Sequence, residues 1–146
     1  VRFKTVLEVR GADRQQRGKD IIPAAFLVGL LTGKKTRDTL LDEVASWSEK
    51  DRDDLSKCAF DLSFSNVGPK QKSIGYWLEF LSQLALDGLD ERSKFYNIKN
   101  ERPLLELDLK NIMNNGPETL QIQKKLNKSE QTLKSFINEN YLDSFE

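Results

Sequence analysis

The chain has no histidine, one cysteine, one methionine and four prolines in 146 residues, and its 23 lysines and arginines are cancelled by 23 aspartates and glutamates. Each shortage excludes something. Without histidine the chain lacks the commonest general base, metal ligand and triad member. With Cys58 alone, no disulfide can form within the chain, which points to a reducing, intracellular compartment, nuclear or cytoplasmic. Zero net charge removes the excess of Lys and Arg from which a non-specific nucleic-acid binder draws its affinity. No apolar run is long enough for a membrane span: Ile21 to Leu31 is broken by Pro23 and Gly29 and is about half the length a bilayer requires. No secretory signal is visible either, so Asn127-Lys-Ser129 reads as a turn and not as a glycosylation acceptor.

What is present is the composition of an ordinary globular domain, 38% apolar and 32% charged, at a length suited to one hydrophobic core. The charge is unevenly spread. Residues 1–37 carry nine basic and three acidic side chains, a balance of +6, and residues 38–66 carry three against eight, or −5. The remainder is nearly neutral. The chain begins at Val1 and not at methionine, as a fragment of a larger protein would.

Val1, Phe3, Thr5, Leu7 and Val9 alternate with Arg2, Lys4, Glu8 and Arg10, the period of a strand with one exposed face. No second strand is evident, so its backbone is satisfied by a second chain, through self-association of Val1, Phe3, Leu7 and Val9 into a homodimer, by a short extended segment beside it, or by chain absent from this sequence. The basic arm that follows holds Arg10, Arg14 and Arg17. From Pro23 the pattern is helical: a first helix to Leu31 ended by Thr32-Gly33, and a second from about Arg37 to Trp47. A third is capped by Ser48 and Asp51, with Leu55, Cys58, Ala59 and Leu62 facing inward. Gly68-Pro69 opens a fourth, central helix with the stripe Ile74, Trp77, Leu78, Leu81, Leu84 and Ala85, stopped by Gly88. Residues 88–102 read as a polar connector anchored by Phe95, Tyr96 and Ile98. A fifth helix starts at Pro103 and stops at Asn114-Asn-Gly116. The expectation is a mainly α, single-domain bundle of about six to seven helices with one short N-terminal strand: arm 1–20, helical core 21–87, connector 88–102 and a three-helix unit over 103–146.

Several candidate sites dissolve on inspection. Gly29-Leu-Leu-Thr-Gly-Lys-Lys-Thr36 has three residues between its glycines where a phosphate-binding loop has four, and Lys35 stands where that loop has a hydroxyl. It reads as a helix stop with basic C-terminal capping. Asp51-Arg-Asp-Asp54 lacks the glycine and glutamate of a calcium loop and reads as acids in a helix first turn. Cys58 lies on an apolar face with no histidine to activate it. No catalytic, metal or cofactor site is expected.

The C-terminal run Thr119 to Tyr141 is the remaining motif. Leu120, Ile122 and Leu126 face inward on one helix, Leu133, Phe136, Ile137 and Tyr141 on the next, and Asn127-Lys-Ser129 forms the turn between them. With the helix after Pro103 this unit, residues 104–142, resembles the helix-turn-helix and winged-helix superfamily. The resemblance implies that the outer face of the last helix, Lys128, Gln131, Lys134, Ser135 and Asn138, meets a partner or the DNA major groove. Glu130 and Glu139 flank that face and would repel phosphate. The sequence is therefore read as a non-catalytic protein-interaction or oligomerisation module of a larger, DNA-associated assembly, with a DNA-reading module, helped by Arg10, Arg14 and Arg17, as the alternative.

Overall fold

A computed structural model describes residues 2, 3, 7, 8, 12, 15, 16, 18–128 and 131–141. Two short strands, β1 (Arg2–Phe3) and β2 (Leu7–Glu8), precede seven α-helices among these residues: α1 (Ile21–Thr32), α2 (Lys34–Ala45), α3 (Glu49–Cys58), α4 (Ile74–Tyr96), α5 (Pro103–Asn115), α6 (Glu118–Lys128) and α7 (Leu133–Asn140). A 3-10 turn at Pro69–Gln71 leads into α4. The mainly helical, single-domain expectation holds. The single strand becomes two, paired antiparallel with Phe3 opposite Leu7, so the segment finds its backbone partner within itself. The case for a second chain loses its premise there; Val1 and Val9 lie outside the described residues, and Phe3 and Leu7 are described in backbone only.

The fold is organised around α4. Leu84, Ala85, Leu86, Gly88 and Leu89 are all buried, which places this stretch under neighbours on nearly every side. Ala25 and Leu30 of α1 and Leu105 of α5 complete the core. Helices α1 and α4 meet at glycines. A Cβ added to Gly88 would lie 1.8 Å from the Gly29 carbonyl oxygen, and one added to Gly29 would lie 2.2 Å from that of Ala85. Both are impossible contacts, so the backbones touch only because neither residue carries a side chain. This is why Gly88 does not stop α4, as the sequence suggested: packing against α1 outweighs the roughly 1 kcal/mol that glycine costs a helix interior.

The connector shortens accordingly. Phe95 and Tyr96 belong to the last turn of α4 and are 79% and 55% exposed, so they do not anchor it. Asn97 ends the helix in the left-handed conformation at φ 51°, which asparagine tolerates better than most residues. Ion pairs then close residues 97–102 back onto α4: Arg92 Nε to Glu101 at 3.0 Å and Arg102 Nη1 to Asp90 at 2.9 Å.

Ser48 caps α3 as the sequence indicates. Its Oγ accepts the Asp51 N–H while the Asp51 carboxylate accepts the Ser48 N–H. The inward face assigned to α3 is not inward: Leu55 and Leu62 are exposed, as is Ala59, and only Cys58 is half-buried. The following loop is held by polar contacts instead. Asp51 Oδ1 accepts the N–H of Lys70 at 2.6 Å, Lys70 Nζ pairs with Glu43 at 2.6 Å, and Trp77 Nε1 donates to the Pro69 carbonyl at 3.0 Å. These contacts fix Lys70 and Gln71 at φ 52° and 57°, a conformation costly to side-chain-bearing residues. Helix α4 therefore starts at Ile74, capped by Ser73, and not at Pro69.

Gly88→Ala must push α1 and α4 apart and is expected to cost about 1–3 kcal/mol by overpacking, read as a lower midpoint in urea denaturation. The three hydrogen bonds from Ser48 and Lys70 hold the Asp51 carboxyl at a pKa of about 2, below its ordinary 3.8. A depressed carboxylate pKa contributes stability above the ordinary value, and that contribution is lost as pH falls through about 2. Asp51→Asn should be less stable than the parent at neutral pH, and the gap should close between pH 4 and 2; a gap independent of pH would contradict the assignment.

Candidate functional site

A buried polar corner lies where α1 turns into α2 against α4. Gly33 alone separates the two helices, extended at φ −69° and ψ 132°, closing one and opening the other. Lys34 and Lys35 consequently sit in the first turn of α2 and do not cap the C-terminus of α1. Cations at a helix N-terminus oppose the macrodipole, and glycine offers no side chain to cap it. Glu91 of α4 supplies the missing acceptor: its Oε1 takes the Lys35 N–H at 3.2 Å. Its Oε2 is buried and has no hydrogen-bond partner. Lys34 Nζ is drawn along the helix to Asp38 at 2.6 Å.

Thr36 is buried to 4% exposure and points its hydroxyl into the glycine contact, within reach of the carbonyls of Gly33 at 3.2 Å and Gly29 at 3.4 Å. The same oxygen is 3.0 Å from where a Cβ on Gly88 would stand. The helix crossing and the polar corner are thus one structure. Beside it, between α2 and α4, opens a cavity of about 470 Å³ whose charged lining is Lys35, Lys94, Asp87, Asp90 and Glu91. Both signs of charge face it, which suits a small polar molecule with separated charges. No group of three His, Cys, Asp or Glu that could hold a metal occurs among the described residues, and none of their helices is long and apolar enough to cross a membrane.

The residues singled out from the sequence lie elsewhere. Lys128 is exposed at the end of α6, and Lys134 and Asn138 are exposed on α7. Gln131 and Ser135 both donate to Glu139, at 2.8 and 3.0 Å. The presumptive reading face therefore engages its own acid. Thr132 caps α7, with its Oγ accepting the Ser135 N–H at 3.2 Å. Leu133 and Ile137 are 59% and 40% exposed, leaving Phe136 as the buried residue of that helix. Arg10, Arg14, Arg17, Ser129 and Glu130 lie outside the described residues. The Gly29 to Thr36 segment is no phosphate loop, because α1 stands where that loop follows a strand. Glu91 gave no signal in sequence, being one of 23 acids whose place is set by a helix crossing.

A family model matches the chain over residues 1–60: glutamate-cysteine ligase family 2, GCS2. The match takes in β1, β2, α1, α2 and α3, and it covers under half of the 146 residues. It points away from the helix-turn-helix and winged-helix superfamily and toward a family of enzymes. The expectations of a non-catalytic interaction module, of its DNA-reading alternative and of a chain without enzymatic activity are corrected on this finding. No curated protein matches the chain, and no solved structure does.

Glu91→Ala leaves the first turn of α2 without its acceptor and is expected to cost about 1 kcal/mol, in the range of a lost helix cap. Glu91→Gln keeps an acceptor for the Lys35 N–H and should cost less, as read by thermal or urea denaturation; equal losses would show that charge, and not the hydrogen bond, matters.

Proposed function

We propose that the chain belongs to a ligase related to glutamate-cysteine ligase family 2, which joins a carboxylate of one amino acid to the amine of another. The observation that carries this reading is the family match over residues 1–60. It also accounts for the inventory. Absence of histidine weighs against histidine-based nucleophilic and general-base chemistry, whereas an acyl transfer between charged amino acids rests on cations that orient carboxylates and stabilise developing negative charge. Arginine is the residue best shaped for that task, because its planar fork meets a carboxylate with two parallel hydrogen bonds. Arg10, Arg14 and Arg17 stand within the matched segment and are assigned here to substrate carboxylates.

The corner at Gly33 supports this reading as a scaffold. It locks α1 and α2, both inside the matched segment, onto α4 outside it.

Condensing a carboxylate with an amine is uphill in water, so the assay supplies a nucleoside triphosphate with glutamate and cysteine to the full-length protein that carries this chain. Formation of the dipeptide, followed by mass spectrometry, is the expected result. Alanine at Arg10, Arg14 or Arg17 should raise the KM for an amino-acid substrate by about tenfold, the 1.4 kcal/mol equivalent of one lost charge-assisted contact. No product with either amino acid, or unchanged kinetics in all three variants, would overturn the corresponding assignment.

A further inference from the structure

A second cavity, of about 190 Å³, shares Glu91 with the larger one and opens where the last turns of α4 pass the junction of α1 and α2. Its lining carries Lys34, Arg37, Arg92, Phe95 and Tyr96. Most of that charge is already spent. Lys34 Nζ pairs with Asp38 at 2.6 Å, and Arg92 Nε pairs with Glu101 at 3.0 Å. Glu91 gives Oε1 to the Lys35 N–H, and its Oε2 is buried, so this carboxylate presents little of itself to the cavity. Arg37 is left over. Its Nη1 donates to the Leu31 carbonyl at 3.3 Å, and although half-buried it has no carboxylate within ion-pair distance among the described residues. Asp38 feels its charge but is bound to Lys34.

The remaining wall is aromatic. Phe95 and Tyr96, 79% and 55% exposed, meet edge to face with ring centroids 4.9 Å apart. The Arg92 guanidinium lies over the Tyr96 ring, 5.3 Å from its centroid, and holds that ring in place. Arg37 comes from α2 and the rings from α4, so a guanidinium and aromatic surface face one cavity from different helices. A guanidinium meets a carboxylate with two parallel hydrogen bonds. Aromatic rings favour offset or edge-on contact with a further ring. The space is smaller than the roughly 300 Å³ at which sites for drug-sized molecules begin, which confines an occupant to one ring and a short arm.

We propose that this cavity binds a small aromatic carboxylate, with its carboxylate on Arg37 and its ring against Phe95 and Tyr96. One negative charge answers the one guanidinium of the lining that has no acid partner, and the ring covers apolar surface that otherwise faces water. Occupation bridges α2 to α4 and stabilises the folded chain by mass action. The site stands independently of the ligase reading, because it follows from its own lining, and Arg37 is not among the arginines assigned there to substrate.

The probe is 3-phenylpropanoate, titrated into the full-length protein that carries this chain and followed by saturation-transfer NMR. Half-saturation is expected at or below about 1 mM, the affinity open to a ligand of so few atoms. The alcohol of the same shape, 3-phenylpropanol, should bind at least about tenfold more weakly. Arg37→Gln should weaken the acid by about tenfold and leave the alcohol unchanged. Phe95→Ala should weaken both by about threefold or more. Phe95 is 79% exposed, so its loss spares the fold and keeps the test decisive where Arg37→Gln does not fold. No saturation up to about 10 mM, equal binding of acid and alcohol, or unchanged affinity in either variant would each overturn the proposal.

Discussion

The contact between Gly29 and Gly88 is the constraint on which the structure depends. It lets α1 and α4 approach until backbone meets backbone, and that approach sets the depth at which Ala25, Leu30, Leu84 and Leu89 pack. It also fixes the corner at Gly33, because Thr36 directs its hydroxyl into the same contact and Glu91, one turn beyond Gly88 on α4, arrives where α2 needs an acceptor. A larger side chain at either glycine would separate the helices and dissolve the cap together with the core.

The rest of the molecule divides by how firmly it is tied to that crossing. Helices α2 and α5 are attached by buried contacts and ion pairs, and the loop before α4 is pinned by Asp51, Lys70 and Trp77 although it is apolar and exposed at Phe60 and Val67. Helix α6 follows α5 through Gly116-Pro117 and has no fully buried residue, while α7 buries Phe136. Charge follows the same division, since Arg92 and Arg102 spend their guanidinium groups on closing the connector onto α4.

Much of the architecture was legible. Helical spacing marked α1 to α7, the Ser48 cap stood at its predicted place, and the central role of α4 followed from its continuous apolar stripe. The errors share one origin. Local rules make Gly88 a stop, Leu55 and Leu62 inward, and Phe95 and Tyr96 anchors, because they assign a residue by its neighbours in sequence, while burial depends on which helix lies opposite. The functional error was different in kind. Absent histidine weighs only against chemistry that needs an imidazole and does not exclude catalysis of other kinds.

Composition and periodicity by themselves determined a single helical domain with no intramolecular disulfide, because cysteine count and the 3.6-residue repeat act along the chain and need no partner. The strand pairing within residues 2–8, the continuation of α4 through Gly88 and the union of Gly33, Thr36 and Glu91 were decided by tertiary structure alone. Each joins groups brought together by chain reversal or by a helix crossing, and the free energy that selects them comes from close packing and buried hydrogen bonds that exist only once the chain has folded.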